Sequence, residues 1–168
     1  MNSIKEQLMN AMTAYFGQDT KRIDHALNVT NYAERLLEQE GGDYQIVIAA
    51  AVLHDIGIHE AERKYNSSSG KYQQIEGPPV AREILQRLEF DPARIDQACN
   101  IIAYNHSVGP MRDNRNFCIL YDADWLINLP HEYDIRDKDK LKTIIDNIFL
   151  TQSGRSMAKH IYLKNSEL

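Results

Sequence analysis

Apolar residues recur along the chain at intervals of three and four, the spacing of an amphipathic helix. Residues 3–16 place Ile4, Leu8, Met12 and Tyr15 on one side, and Gly17 supplies a stop. A second helix is predicted from Asp19 or Thr20 to about Gln39, with Leu27, Tyr32, Leu36 and Leu37 turned inward and Gly41-Gly42 ending it. Asp43 then caps IVIAAAVLHDIG, whose apolarity on every side marks it as central and buried, and Gly57 ends that helix.

Pro78-Pro79 is expected to open a helix through Ile84, Leu85 and Leu88. Asp91-Pro92, a cap followed by proline at the first helical position, starts another through Ile95, Cys99, Ile102 and Ala103. Residues 116–128 form a further helix, and two more fit near 137–150 and 154–165. The polar stretch Lys64–Gly70, rich in Ser and Gly, reads as a mobile surface loop rather than a domain boundary. Strand alternation is nearly absent. The prediction is an all-α chain, a single compact helical bundle over 1–168.

Composition changes this picture little but narrows the partners. A net charge of −5 gives no electrostatic footprint for nucleic acid or an anionic membrane. Small anionic substrates remain open, because a bound metal supplies positive charge locally. Cys99 and Cys118 have no CxxC spacing and read as buried thiols in a reducing compartment. With no secretory-type N-terminus and no apolar run of membrane-spanning length, the expected location is cytoplasmic.

The chemistry concentrates where polar residues interrupt apolar helices. In AAAVLHD, an aspartate at the end of a buried helix is costly unless its charge is paired or coordinated. A neutral imidazole and a carboxylate are both good ligands for first-row divalent ions, and a bend at Ile56-Gly57 lets His54 and Asp55 turn toward one ion. A hydrogen-bonded pair at a helix terminus is the competing reading. Further partners are His25, early in its amphipathic helix; His106, ending the helix after Asp91-Pro92; and Asp122 and Asp124 in the apolar CILYDADWLIN. Four separate helices then carry these groups, which is how bundles build metal sites in their cores.

The order His25, His54-Asp55, Asp124, with the strings AAAVLHDIG and LYDADWL, resembles the HD-domain superfamily of metal-dependent phosphohydrolases over roughly residues 20–130. The resemblance implies an HD-type bundle, with helices at about 137–165 packed on its metal-site core. It also implies His25, His54, Asp55 and Asp124 as ligands of a divalent ion (Mn, Fe, Co, Ni, Zn or Mg). Asp124 is preferred because the family ligand usually follows the small residue of an Ala-Asp pair; Asp122 is the alternative, otherwise solvent-facing or behind the ligands. His106 matches a position that adds a second metal in dinuclear members, where the other falls on Glu76 instead of the usual His.

The implied mechanism is hydrolysis of a phosphate ester, nucleotides leading, by water whose pKa the ion lowers, with the ion polarising a phosphoryl oxygen. Asp55 would serve the chemistry as well as the ion, and Glu76 or His106 would be a general acid or base. Arg22, one turn before His25, would clamp phosphate. Arg63, Lys64 and Arg155 read first as solvated cations, His59 as an exposed loop residue, and His131 and His160 as surface residues. Tyr121 and Trp125 read as core rather than as a stacking platform. Two other classes stay open: a diiron HD-type oxygenase using Glu76 and His106, and a metal-stabilised binding domain without turnover. The partner expected on the first reading is a small phosphorylated molecule.

Overall fold

The computed structural model describes residues 2–164, which run through α1 (Ile4–Phe16), α2 (Thr20–Glu40), α3 (Tyr44–Leu53), α4 (Ile58–Tyr65) and α5 (Gly70–Arg87). There follow α6 (Pro92–Ala103), a 3₁₀ turn at Gly109–Met111, α7 (Arg115–Glu132), α8 (Lys138–Ile148) and α9 (Gln152–Tyr162); no strand occurs among the described residues. Side-chain caps start most of these helices. Ser3 and Glu6 form a reciprocal capping box on α1, while Asp19, Asp43, Asp91, Asn114, Asp137 and Thr151 each accept a first-turn N–H. Each such cap stabilises its helix by about 1 kcal/mol.

Helix α3 is apolar all round because different faces enter different cores. Val47, Ala50 and Ala51 pack with Val29, Leu36, Phe117, Leu120, Ile145 and Phe149 from α2 and from α7 to the segment after α8. Ile48, Ala49, Val52 and Leu53 pack with Leu8, Met12, Ile84, Leu85, Ile95 and Ile102 from α1, α5 and α6. Each fully buried Leu, Ile or Phe contributes roughly 1.5–3 kcal/mol of transfer free energy, so α3 is fixed from both sides. On α2 the buried stripe is Ala26, Val29, Thr30, Ala33 and Leu36; the expected Leu27, Tyr32 and Leu37 border it, partly buried. Cys99 and Cys118 are free and buried, and burial pushes the Cys118 thiol up to about 11.

Several sequence expectations are corrected. Pro78-Pro79 lies inside α5, which starts eight residues earlier at Gly70. The prolines lack the N–H groups that would pair with the Gln74 and Ile75 carbonyls, and Ile75, 53% exposed, lies on a solvent-facing side where water can satisfy such groups. The expected loop at Lys64–Gly70 shrinks to a short connection, because α4 runs to Tyr65 and ends on Asn66 in the left-handed conformation. Helix α3 stops at Leu53 rather than Gly57. Helix α7 extends past 128 through Pro130 to Glu132, and the last two helices are slightly shorter than expected. Residue 165, where the final helix was expected to end, lies outside the described residues.

Candidate metal centre

After Leu53 the backbone tightens into a turn with short-range bonds, Ile56 N–H to the Leu53 carbonyl and Ile58 N–H to that of Asp55, each at 3.1 Å. Gly57 sits so close to α5 that a Cβ there would lie 2.5 Å from the Gly77 nitrogen and 3.0 Å from the Gln73 carbonyl oxygen. This close packing holds the turn against α5. As a result the adjacent His54 and Asp55, which would point apart on a continued helix, bring Nε2 and Oδ2 within 3.3 Å.

His25 on α2 and Asp124 on α7 complete the cluster. His25 Nε2 lies 3.0 Å from Asp124 Oδ1, 3.3 Å from His54 Nε2 and 3.4 Å from Asp55 Oδ2; His54 Nε2 is 3.4 Å from Asp124 Oδ1. His25, His54 and Asp55 form a group that could hold a metal ion, their ligand atoms all within 4.8 Å of one another. His54 Nδ1 is 2.8 Å from the Ala51 carbonyl. A carbonyl only accepts, so Nδ1 carries a proton and donates it, and in the neutral ring Nε2 presents a lone pair to the cluster. Asn128, one turn beyond Asp124, donates from Nδ2 to its Oδ1 at 3.0 Å.

The electrostatics describe the same cation site. Burial opposes the charged form of His54, but Asp55 and Asp124 outweigh it and raise the imidazole well above its ordinary value. Burial also opposes ionisation of Asp55 and Asp124, and in both the neighbouring histidines prevail and hold the carboxyl below the usual range. Two carboxylates in a buried pocket need a positive partner. Here the partner is a protonated imidazole or, in its place, a metal ion.

The cluster opens on two adjoining cavities. The larger, about 630 Å³, is lined by Lys21, Arg22, His25, Asp55, Gln73 and Asp124 among others. The smaller, about 290 Å³, is lined by Asn105, Tyr121, Trp125 and Glu132; His106, Asp124 and Asn128 border both. Lys21, Gln73, Asn105 and Asn128 went unnoticed in the sequence. Asn128 was legible in principle, since four residues from Asp124 it shares a helix face. Lys21, four residues before His25 on α2, was legible in the same way, whereas Gln73 and Asn105 are brought in by helix packing and a turn with no local signal.

The remaining candidates divide. Arg22 lines the larger cavity while bonded to Asp19 and Glu62, each at 2.9 Å. His106 is exposed in the turn after α6 and belongs to both cavity walls. Glu76 lines neither cavity; its two oxygens accept from Lys64 at 2.8 Å and Tyr65 at 3.0 Å. Asp122 is fully buried, not solvent-facing, and bonds away from the cluster to the Leu150 N–H, the Thr151 N–H and the Thr151 hydroxyl. His59 is half-buried on α4, 2.8 Å from Asp19 and packed on Tyr15 and Phe16, rather than free in a loop. Arg63 pairs with Glu60, and His131 and His160 are exposed, His131 at the cavity edge. Tyr121 and Trp125 pack one side on the core and turn another to the smaller cavity, so the core reading is half of their role.

Comparison with known proteins points the same way. The HD domain family model matches residues 22–129. The fold is similar to that of a predicted HD superfamily hydrolase from an uncultured Thermotogales bacterium, at 21% identity over 96% of this chain and 87% of that one, with a TM-score of 0.71. It is also similar to an HD-superfamily hydrolase from Bacillus thuringiensis, at 20% identity over 98% and 94% of the two chains, with a TM-score of 0.62. Among curated proteins none matches.

Proposed function

The chain belongs to the HD-domain family, and from that premise we propose that it is a metal-dependent phosphohydrolase acting on a small phosphate ester of the nucleotide class. The observation that carries this reading is the convergence of His25 Nε2, His54 Nε2, Asp55 Oδ2 and Asp124 Oδ1 at the wall of a cavity that also holds Lys21 and Arg22. Two imidazole nitrogens and two carboxylates suit a first-row divalent ion. Such an ion supplies an activated water and polarises a phosphoryl oxygen.

The protein's own groups do the rest. The Ala51 carbonyl fixes the His54 tautomer, and Asn128 orients Asp124. Arg22, braced by Asp19 and Glu62, and Lys21 offer positive charge to the phosphate. His106, exposed and common to both cavities, would protonate a leaving oxygen. Glu76, engaged by Lys64 and Tyr65, supports neither a second ion nor the oxygenase reading. A cytoplasmic location accords with two free, buried cysteines.

The test is a screen of purified protein loaded with Mn, Fe, Co, Ni, Zn or Mg against nucleotides, cyclic nucleotides and simple phosphate esters. Phosphate release lost in Asp55→Ala, with helical content unchanged, is the expected result. Activity unchanged in both His54→Ala and Asp55→Ala, or two irons per chain with oxygen uptake, would overturn the reading.

A further inference from the structure

The smaller cavity carries an unmet demand for hydrogen bonds. Asn105, in the turn after α6, is 4% exposed, yet neither its Nδ2 nor its Oδ1 has a partner among the described residues. Each buried, unpaired polar group costs about 1–3 kcal/mol, and such an expense persists where a ligand supplies the partners. An amide offers a donor and an acceptor side by side, so its complement is an edge with adjacent acceptor and donor. Opposite polarities thus have to meet in one plane.

The cavity walls specify the rest of that ligand. Trp125 and Tyr121 give it aromatic surface, their ring centroids 6.4 Å apart and their planes inclined by 62°, and about 290 Å³ accommodates a small ring system. No lysine or arginine lines it, whereas Glu132 and Asp124 do. Phosphate is therefore disfavoured here and favoured in the adjoining cavity with Lys21 and Arg22. An organic ring on one side of the cation site and a phosphate on the other describes one substrate spanning both.

We infer that the Asn105 cavity is a subsite for a planar heterocycle of the nucleobase type, read along its donor–acceptor edge by the Asn105 amide and packed against Trp125 and Tyr121. The inference rests on the phosphohydrolase reading for the placement of the phosphate, but binding of the ring alone tests the subsite separately. Trp125 is the chain's single tryptophan, so its fluorescence reports directly on the cavity.

The experiment titrates the whole protein, with Mg²⁺ present, with adenosine, guanosine, cytidine and uridine while following tryptophan emission. At least one nucleoside changes the emission saturably, and Asn105→Leu weakens that binding on the order of tenfold or more with unchanged circular dichroism. No saturable change with any of the four, or equal binding by Asn105→Leu, overturns the subsite. If Asn105→Leu does not fold, Asn105→Asp takes its place. It exchanges a donor for an acceptor and reorders preference among the nucleosides; an unaltered order overturns the subsite. Cleavage is followed in parallel with nucleoside 5′-monophosphates and ribose 5-phosphate. Nucleoside binding without cleavage of these esters, or of any ester in the metal-by-substrate screen, supports the subsite and removes the phosphohydrolase reading. Equal cleavage of both esters without nucleoside binding does the reverse.

Discussion

His25 Nε2 and Asp124 Oδ1 lie 3.0 Å apart although 99 positions separate them in the chain. Helix α7 presents Asp124 to the imidazole of α2 while turning Asp122 the other way, onto the α8–α9 junction. Two acidic residues in one apolar helix thus serve unrelated ends.

The first prediction separates them by metal affinity. Asp124→Asn removes a carboxylate from the cation cluster and should weaken metal binding on the order of 100-fold or more, since even groups that only orient ligands carry 10–100-fold. Asp122→Asn should leave metal stoichiometry and affinity unchanged. Chelator competition on the folded variants measures both; equal losses would show that Asp124 has no special place.

Asp122 should instead reveal itself through pH. Burial pushes its carboxyl up to about 6, even though three donors from Leu150 and Thr151 work to lower it. The folded state then holds this proton more tightly than the unfolded chain, whose carboxyl titrates near 3.8. The contribution of Asp122 to folding is therefore fully present below pH 3.8 and is lost as pH rises through about 6. Denaturation of wild type and Asp122→Asn across this range isolates the effect: relative to the variant, wild type should lose up to about 3 kcal/mol between the ends of the window. A difference independent of pH would contradict it.

These cases also mark what the sequence can disclose. The cap-and-period signals of α1, α2, α3 and α6 are local, and so was the all-round apolarity that made α3 central. The His54-Asp55 pair was legible because a buried carboxylate demands a partner. The burial of Asp122 is not legible, because its partners lie 28 and 29 residues away: two backbone N–H groups that any residue could supply, and the Thr151 hydroxyl, which only the packing of α9 brings near. Glu76 shows no sign in the sequence of its actual partners, because it is the short helix α4 that delivers Lys64 and Tyr65 to it. Pro78-Pro79 carries a sound preference for a helix start, which packing of α5 against α6 and α4 overrides. Asn105 gave no signal, since an unpaired amide is visible only once its surroundings are placed.

Gly57 supplies a prediction linking fold to site. Its Cβ would meet backbone atoms of Gly77 at 2.5 and 2.8 Å, and backbone cannot step aside as a flexible side chain can. Gly57→Ala should therefore destabilise the protein by about 1–3 kcal/mol, the usual cost of overpacking. Because the strain falls two residues after Asp55, metal affinity should fall as well. Gly109→Ala is the control: its Cβ meets nothing within 4 Å, so its cost is the strain of a positive φ, 36°, and metal affinity should hold. Thermal denaturation and metal titration of both variants make the comparison, and an unstrained Gly57→Ala would mean that the turn does not depend on contact with α5.

Metal addition should stabilise the fold through the same four groups. They come from α2, the end of α3 and α7, so an ion held by them links three elements that the unfolded chain leaves far apart. By mass action, a ligand at 100 times its dissociation constant adds about 2.7 kcal/mol to stability. Wild type should therefore melt several degrees higher with saturating Mn²⁺ or Zn²⁺ than after chelation, and His54→Ala should lose most of that increment. The direction of the variant's own stability tests the site further. With chelator present, His54→Ala leaves Asp55 and Asp124 without the neighbour that now favours their ionised forms, so it should be less stable than wild type even before metal is considered. A His54→Ala protein that keeps the full metal-dependent rise would place the ion elsewhere.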